Sequence, residues 1–464
     1  MSFNGVVEMC EFMKKFLFIY FLAAVVGLLN ISCSDDDSVE TELTPYAALR
    51  SFSISNLKAY YHVKTAAGTD SVATKTVVSS NYPFVIDQKT AMVYNPDSLP
   101  YGTDVTKVPT GVESDGLAYY YDEESLSYVP YAASDSIDFT APVRLLVTSL
   151  DAANAREYEI RVNVHKVNPD SMVWNSVEKL VMHEPQRAIV ADERMFLFGR
   201  RNDGSGVLSS FVIDNKDEIE TVDITGLPDV AELGGVLHFN NKFYLVAEEA
   251  LFISSDGADW AKSEASGNFK ALVSASDATG RLWAVVDGKV TYSTDGVSFV
   301  ASEQQSEGFP LYGISSVEYP LHTNPNILRN VVVGCSAPNT MQPTVWSILS
   351  TEKKWVEYVN NDERYICPAI SDITVFRYDG VLYAIGGSGV VAGKEVAAFS
   401  VVYTSSNDGL TWLPADSNSV SLPASINGYE APFAVAVDGQ NRIWLFVGGN
   451  DASSWCGRIN RLGF

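Results

Sequence analysis

Cysteine is scarce. The 464-residue chain has five, Cys10, Cys33, Cys335, Cys367 and Cys456. None forms a CxxC pair, which excludes a disulfide framework and a zinc knuckle. Basic residues are also few: 32 Lys and Arg stand against 57 Asp and Glu, a formal net charge of −25. Nucleic-acid binding is excluded on that ground, because neutralising phosphates needs a basic face. The histidines (His62, His165, His183, His238 and His322) are scattered with no carboxylate cluster, so no metal or cofactor is expected. There is no G-x-S-x-G, H-E-x-x-H or P-loop. The apolar run Phe16–Leu29 has 14 residues, short of the roughly 20 that span a bilayer. What the chain does have is 46% hydrophobic residues, with 23 Tyr, 22 Phe and 8 Trp. That composition folds.

The start of the chain reads as an address. Met13-Lys14-Lys15 is a basic region ahead of the apolar run, and Asn30-Ile31-Ser32-Cys33 follows it. Glu8 and Glu11 carry the wrong sign for such a region, so Met13 is the expected start. The Cys33 context resembles the lipobox of bacterial lipoproteins, with Asn30 where that family usually has Leu. The resemblance implies a leader over 1–33, a lipidated Cys33 and outer-membrane lipid as a partner. An ordinary cleaved secretion signal is the alternative, but it leaves the acidic run after Cys33 unexplained. Ser34-Asp35-Asp36-Asp37 resembles the acidic signal that sends Bacteroidota lipoproteins to the cell surface. Residues 34–46 otherwise read as a solvated acidic tether rather than a calcium site.

Residues 47–166 show short apolar or alternating runs punctuated by Gly, Asn, Asp and Pro. Examples are Ser51–Ile54, Tyr82–Asp87, Ala91–Tyr94, Val143–Val147 and Tyr158–Val164. About seven strands in this length fit a β-sandwich. A Cys–Trp–Cys core is lacking. The segments Asp97–Val105, Asp135–Phe139 and Tyr158–Val164 resemble the Ig-like N-terminal domain of Bacteroidota surface lipoproteins, which implies a spacer. Tyr119, Tyr120, Tyr121, Tyr128 and Tyr131 could stack on a sugar, but alternation along a strand exposes some of them in any case.

Residues 167–464 repeat. Ser254-Ser255-Asp256-Gly257-Ala258-Asp259-Trp260 aligns with Ser293-Thr294-Asp295-Gly296-Val297-Ser298-Phe299. Both align with Ser406-Asn407-Asp408-Gly409-Leu410-Thr411-Trp412. In each, the Asp can accept backbone N–H bonds, the Gly can take a positive φ and the aromatic starts the next strand. The pattern resembles the Asp-box of sialidase-like β-propellers, one residue shorter than usual, with the Asp structural. Runs around Phe196, Tyr244, Trp283, Tyr383 and Trp444 each read as an inner strand of a four-stranded blade, and Asn330–Gly334 supplies the missing one. Gly386-Gly387 and Gly448-Gly449 resemble kelch blades. Asp170 and Trp174 look like a box turn without its inner strands, and Ser454–Phe464 looks like a strand without its outer partner. Joining them closes the last blade. The expected fold is all-β: an Ig-like β-sandwich followed by a six-bladed β-propeller, six blades rather than seven.

Chemistry is harder to find. A sialidase needs an arginine triad, a Tyr–Glu pair and an acid Asp, and the nearest approach to its first-blade F-R-I-P context is Gln186-Arg187-Ala188-Ile189. No catalytic residue is assigned. The balance favours a non-enzymatic surface protein that binds a glycan or protein at a propeller face. The alternatives are a sialidase-like or other glycan hydrolase, and a structural partner in an outer-membrane assembly.

Overall fold

In the computed structural model the described residues are 43–463, apart from 65–69, 179, 181, 304–306, 339 and 417–418. The expected leader, Cys33 and Asp35 to Asp37 lie outside the described residues. No helix among the described residues is long and apolar enough to cross a membrane. The chain divides into two compact units, Met1–Asn168 and Pro169–Phe464.

The first unit is two sheets over one core. A three-stranded sheet joins Leu49–Ile54, Val108–Ser114 and Ser136–Ile137. A six-stranded sheet runs in the order Val85–Asp87, Met92–Tyr94, Ala155–Arg161, Val143–Thr148, Leu117–Asp122, Ser127–Pro130. Leu49, Phe52 and Ile54 from the first meet Val93, Leu145, Val147 and Ile160 from the second. Each strand turns alternate residues inward, and this is what made the runs legible. A separate hairpin, Leu57–Lys64 with Asp70–Val77, was not expected. Its second strand, rich in Thr, Ser and Lys, lacks an apolar stripe. Tyr158, fully buried, donates its hydroxyl to Gln88 Oε1 at 2.8 Å and accepts from the Leu49 amide at 3.1 Å. A tyrosine can sit in this core because both ends of its polar demand are met.

The second unit is six antiparallel four-stranded sheets. In chain order, their first two strands are Glu184–Ala191 and Arg194–Arg200, then Leu237–Phe239 and Lys242–Ala247, then Phe269–Ser276 and Arg281–Val286. The fourth to sixth begin Tyr312–Pro320 and Leu328–Cys335, then Thr374–Tyr378 and Val381–Ile385, then Phe433–Val437 and Ile443–Val447. Each first strand packs on the first strands of the sheets before and after it, and that of the sixth returns to that of the first. The six therefore close a ring, the arrangement of a β-propeller. The sixth sheet takes its outermost strand, Met172–Ser176, from the start of the unit, paired to Ser453–Ile459. Both ends of this unit thus stitch one sheet, leaving no open seam.

The aromatic runs expected as inner strands are each the second strand of a sheet, one step out from the ring wall. All five residues of Ile443–Val447 are buried. A strand covered on both faces by neighbouring sheets shows a continuous apolar run rather than alternation.

Polar contacts lock neighbouring sheets at one end of the ring, between the first turn of one sheet and the last turn of the next. Asn240 Nδ2 donates to Thr294 O at 3.4 Å, and Arg281 Nη1 donates to Glu352 O at 3.2 Å. Arg442 Nη2 reaches Asp214 at 3.1 Å, and Arg461 binds both Asp379 and Asp170.

Candidate functional site

The repeated turns are built from the same parts. At the first, Gly257 N donates to Ser254 Oγ at 2.8 Å, while Asp256 Oδ1 accepts from the amides of Ala258 and Asp259, both at 2.9 Å. At the second, Gly296 N donates to Ser293 Oγ at 2.9 Å. Asp295 Oδ1 accepts from Val297 N at 2.8 Å and Ser298 N at 2.7 Å. These amide bonds hold both carboxyls below the usual carboxylate range, led by Asp259 N for Asp256 and by Ser298 N for Asp295. Gly257 and Gly296 have φ of +82° and +77°. A Cβ on Gly296 would lie 2.1 Å from Tyr244 Oη of the preceding sheet, and one on Gly257 would lie 3.0 Å from Phe198. Glycine is required twice over: by the left-handed backbone and by close approach. Trp260 seals its turn, its Nε1 donating to Gly257 O at 2.9 Å, and Phe299 is half-buried.

The third turn corrects the alignment. Ser406 and Asp408 do not occupy the roles of Ser254 and Asp256. Ser405 Oγ accepts from Gly409 N at 2.9 Å, and Asn407 Oδ1 accepts from Thr411 N at 2.9 Å. The turn is one residue longer, and the extra residue is Asp408 in the left-handed region at φ +63°. Gly409 and Trp412 keep their places, with Trp412 Nε1 bonded to Gly409 O at 3.0 Å. Asp408 faces the previous sheet, where Tyr319 Oη donates to its Oδ1 at 2.8 Å and Arg329 Nε lies 3.3 Å from Oδ2. Arg377 stacks over the Tyr319 ring at 4.4 Å. Burial first, then the bond to Asp408, pushes the Tyr319 hydroxyl far above its usual pKa. This gathers an Arg pair, a Tyr and an Asp; the carboxylate is already engaged by Tyr319 and Arg329, and the cluster joins the fourth sheet to the fifth.

Asp170 lies in a turn and pairs with Arg461 at 2.5 Å. Trp174 sits within its strand, its Nε1 donating to Ser421 O at 2.7 Å, and packs on Gly457, where a Cβ would lie 2.4 Å from the indole. The last turn of the fourth sheet also ends on a buried tryptophan, Trp355, whose Nε1 has no partner. The glycine whose carbonyl takes that bond elsewhere is missing here.

Two further groups were given no role from the sequence. Glu318, on the first strand of the fourth sheet, accepts from Ser276 Oγ of the third, beside the Asn330–Ser274 side-chain bond. Burial raises its carboxyl above the usual range. Its sequence signal is a lone acid in the run Ile314–Tyr319. Arg187, on the first strand of the first sheet, is half-buried. Its Nε is shut off from water with no acceptor. Among the described residues no carboxylate pairs with it, and burial lowers its pKa.

Three of the candidate tyrosines of the first unit are engaged within the protein. Tyr121 packs against Tyr128 at 5.3 Å and under the Arg144 guanidinium at 3.6 Å, and Tyr131 Oη donates to Thr110 O at 2.6 Å. No disulfide joins Cys335, Cys367 and Cys456. No group of His, Cys, Asp and Glu that could hold a metal occurs among the described residues.

None of the curated proteins compared with this chain matches it. Among solved structures it is similar to a DUF4623 family protein from Bacteroides eggerthii, at 12% identity over 88% of this chain and 98% of that one, TM-score 0.33. It is similar to Trypanosoma rangeli sialidase at 13% identity over 61% and 56%, TM-score 0.37. It is also similar to the BP39L lectin from Burkholderia pseudomallei at 12% identity over 68% and 88%, TM-score 0.32. Residues 52–162 match the DUF6242 N-terminal domain, and residues 168–464 match the DUF6242 beta propeller domain. With the propeller match covering more than half of its length, the chain belongs to the DUF6242 family.

Proposed function

We propose that this is a lipid-anchored protein of the outer cell surface whose propeller binds a glycan or protein without turning it over. The ring has six blades, one per sheet, and the N-terminal unit is an Ig-like spacer. One observation carries the binding assignment. Three partly buried arginines of the propeller, Arg329, Arg442 and Arg461, are each paired to an aspartate that joins two sheets: Asp408, Asp214 and Asp379. Arginine clusters that act on a ligand keep their forks free for it. Here those forks make the scaffold rigid, and a rigid ring suits recognition by the loops it carries. The anchor rests on the sequence around Cys33 and the acidic residues that follow it.

Residues 45–464 screened on a glycan array and against sialosides and polysaccharides test the assignment. Saturable binding with no released sugar is expected, and release of sugar from any substrate would overturn the non-enzymatic half. Metabolic labelling with an alkynyl palmitate analogue should mark the full chain but not Cys33→Ser. Equal labelling of the two would remove the anchor.

A further inference from the structure

We infer that Arg187 anchors a binding site for a small carboxylate at the inner wall of the ring. Arg187 lies on Glu184–Ala191, the first strand of its sheet, which packs against the first strands of the sheets on either side. The pairing of this strand slips between Pro185 and Arg187. Such a bulge re-aims the side chains around it. Gln186 is committed to the scaffold, its Oε1 accepting from Leu233 N at 2.9 Å. Arg187 is not.

The three guanidinium nitrogens of Arg187 are in different situations. Nε is sealed from water and unbonded. Nη1 and Nη2 are also unbonded among the described residues, yet they are absent from the sealed atoms, so both open onto accessible space. The fork therefore faces outward from a wall that closes over its stem. A desolvated cation with no counter-charge is costly. Arg329, Arg442 and Arg461, in the same unit, each have an aspartate. Arg194, Arg200, Arg281 and Arg458 reach neutral oxygens, and Arg377 lies over the Tyr319 ring. Arg187 has no partner of any of these kinds among the described residues, and an anion from outside the chain would supply one.

Two in-line N–H donors match the two oxygens of a carboxylate. The chain's net charge of −25 repels anions in proportion to their charge. A singly charged carboxylate is therefore favoured over a phosphate dianion. This site stands apart from the glycan or protein assignment and needs neither to be right.

The test is thermal unfolding of the full chain, followed by circular dichroism, in sodium acetate, sodium glucuronate, sodium phosphate or sodium chloride at constant ionic strength. The midpoint of the unaltered protein is expected to rise saturably with acetate and glucuronate, and at most weakly with phosphate. Arg187→Met should lose the response, needing at least tenfold more carboxylate for the same shift, and should be no less stable than the parent in chloride, because it removes an unpaired charge. Arg187→Lys keeps the charge but not the fork, and should respond at several-fold higher carboxylate; it decides the matter if Arg187→Met does not fold. A flat response of the parent to carboxylate, a response shared equally by the variants, or saturation by phosphate alone would each overturn the proposal.

Discussion

The turns at 254–260 and 293–299 differ from the turn at 405–412 by one residue, and that residue changes what the turn does. In the shorter pair, a single aspartate takes two consecutive amides, and its charge is spent inside the hairpin. In the longer one, a neutral asparagine takes the amide, and the aspartate moves one place on to face Tyr319 and Arg329 of the neighbouring sheet. One motif thus serves as a local staple in two sheets and as an inter-sheet clamp in a third. The constant parts are the glycine and the aromatic. Those should therefore carry most of the stability, and the acceptor much less.

Removing the aromatic gives the largest expected effect. Trp412 and Trp260 are 2% and 6% exposed, whereas Phe299 is only half-buried. Trp412→Ala and Trp260→Ala should each cost about 3–5 kcal/mol in urea unfolding followed by far-UV circular dichroism. Phe299→Ala should cost about half as much. Equal losses at all three positions would show that burial does not rank the turns.

The glycines come next. Gly296→Ala would place a methyl 2.1 Å from Tyr244 Oη on a backbone at φ +77°, whereas Gly409→Ala meets nothing nearer than Val345 at 3.0 Å. Both pay for a left-handed backbone, about 1–2 kcal/mol, and Gly296→Ala should cost a further 1 kcal/mol or so for the clash. Adding Tyr244→Phe should return that extra part and leave the backbone part. A strictly additive double mutant would mean that the tyrosine hydroxyl moves aside freely.

The same comparison explains what the sequence could reveal. Second strands such as Ile443–Val447, and Arg281–Val286 from Leu282 onward, are apolar because sheets cover both faces, and they stand out as runs. First strands carry Gln186, Arg187, Ser315 and Glu318 among their apolar residues, which blurs the pattern in the strands that form the ring wall. The Asp-Gly pair of the third turn was legible, but its register was not. Asp408-Gly409 imitates Asp256-Gly257 letter for letter, while the bonds are counted from Ser405 to Gly409. The spacing from Tyr383 to Trp444 is stretched by the hairpin Gly389–Val391 with Lys394–Val396, inserted between the second and third strands of the fifth sheet. Arg187 was visible only as an imperfect family context. Nothing in its neighbours in sequence shows that it lacks a carboxylate, because a partner in a ring comes from another sheet.

The smallest effect is a difference in pH dependence between the turns. Asp256 and Asp295 have folded pKa values below those of the unfolded chain, so the stability they add is fully present above about pH 4 and is lost as the pH falls through the folded values. Asn407 does not titrate, so the third turn has no such acid limb. Asp295→Asn keeps an acceptor oxygen for Val297 N and Ser298 N but gives up the charge assistance, which at an exposed turn amounts to about 0.5 kcal/mol. The deficit should be full at pH 7 and shrink as the pH falls below about 4, where the unfolded carboxyl takes up its proton before the folded one does. The reciprocal Asn407→Asp should bring an acid limb to the longer turn. If the deficit of Asp295→Asn is instead the same at pH 7 and pH 2, the two short turns are held by their shape alone, and the carboxylate is no better there than the amide that replaces it in the fifth sheet.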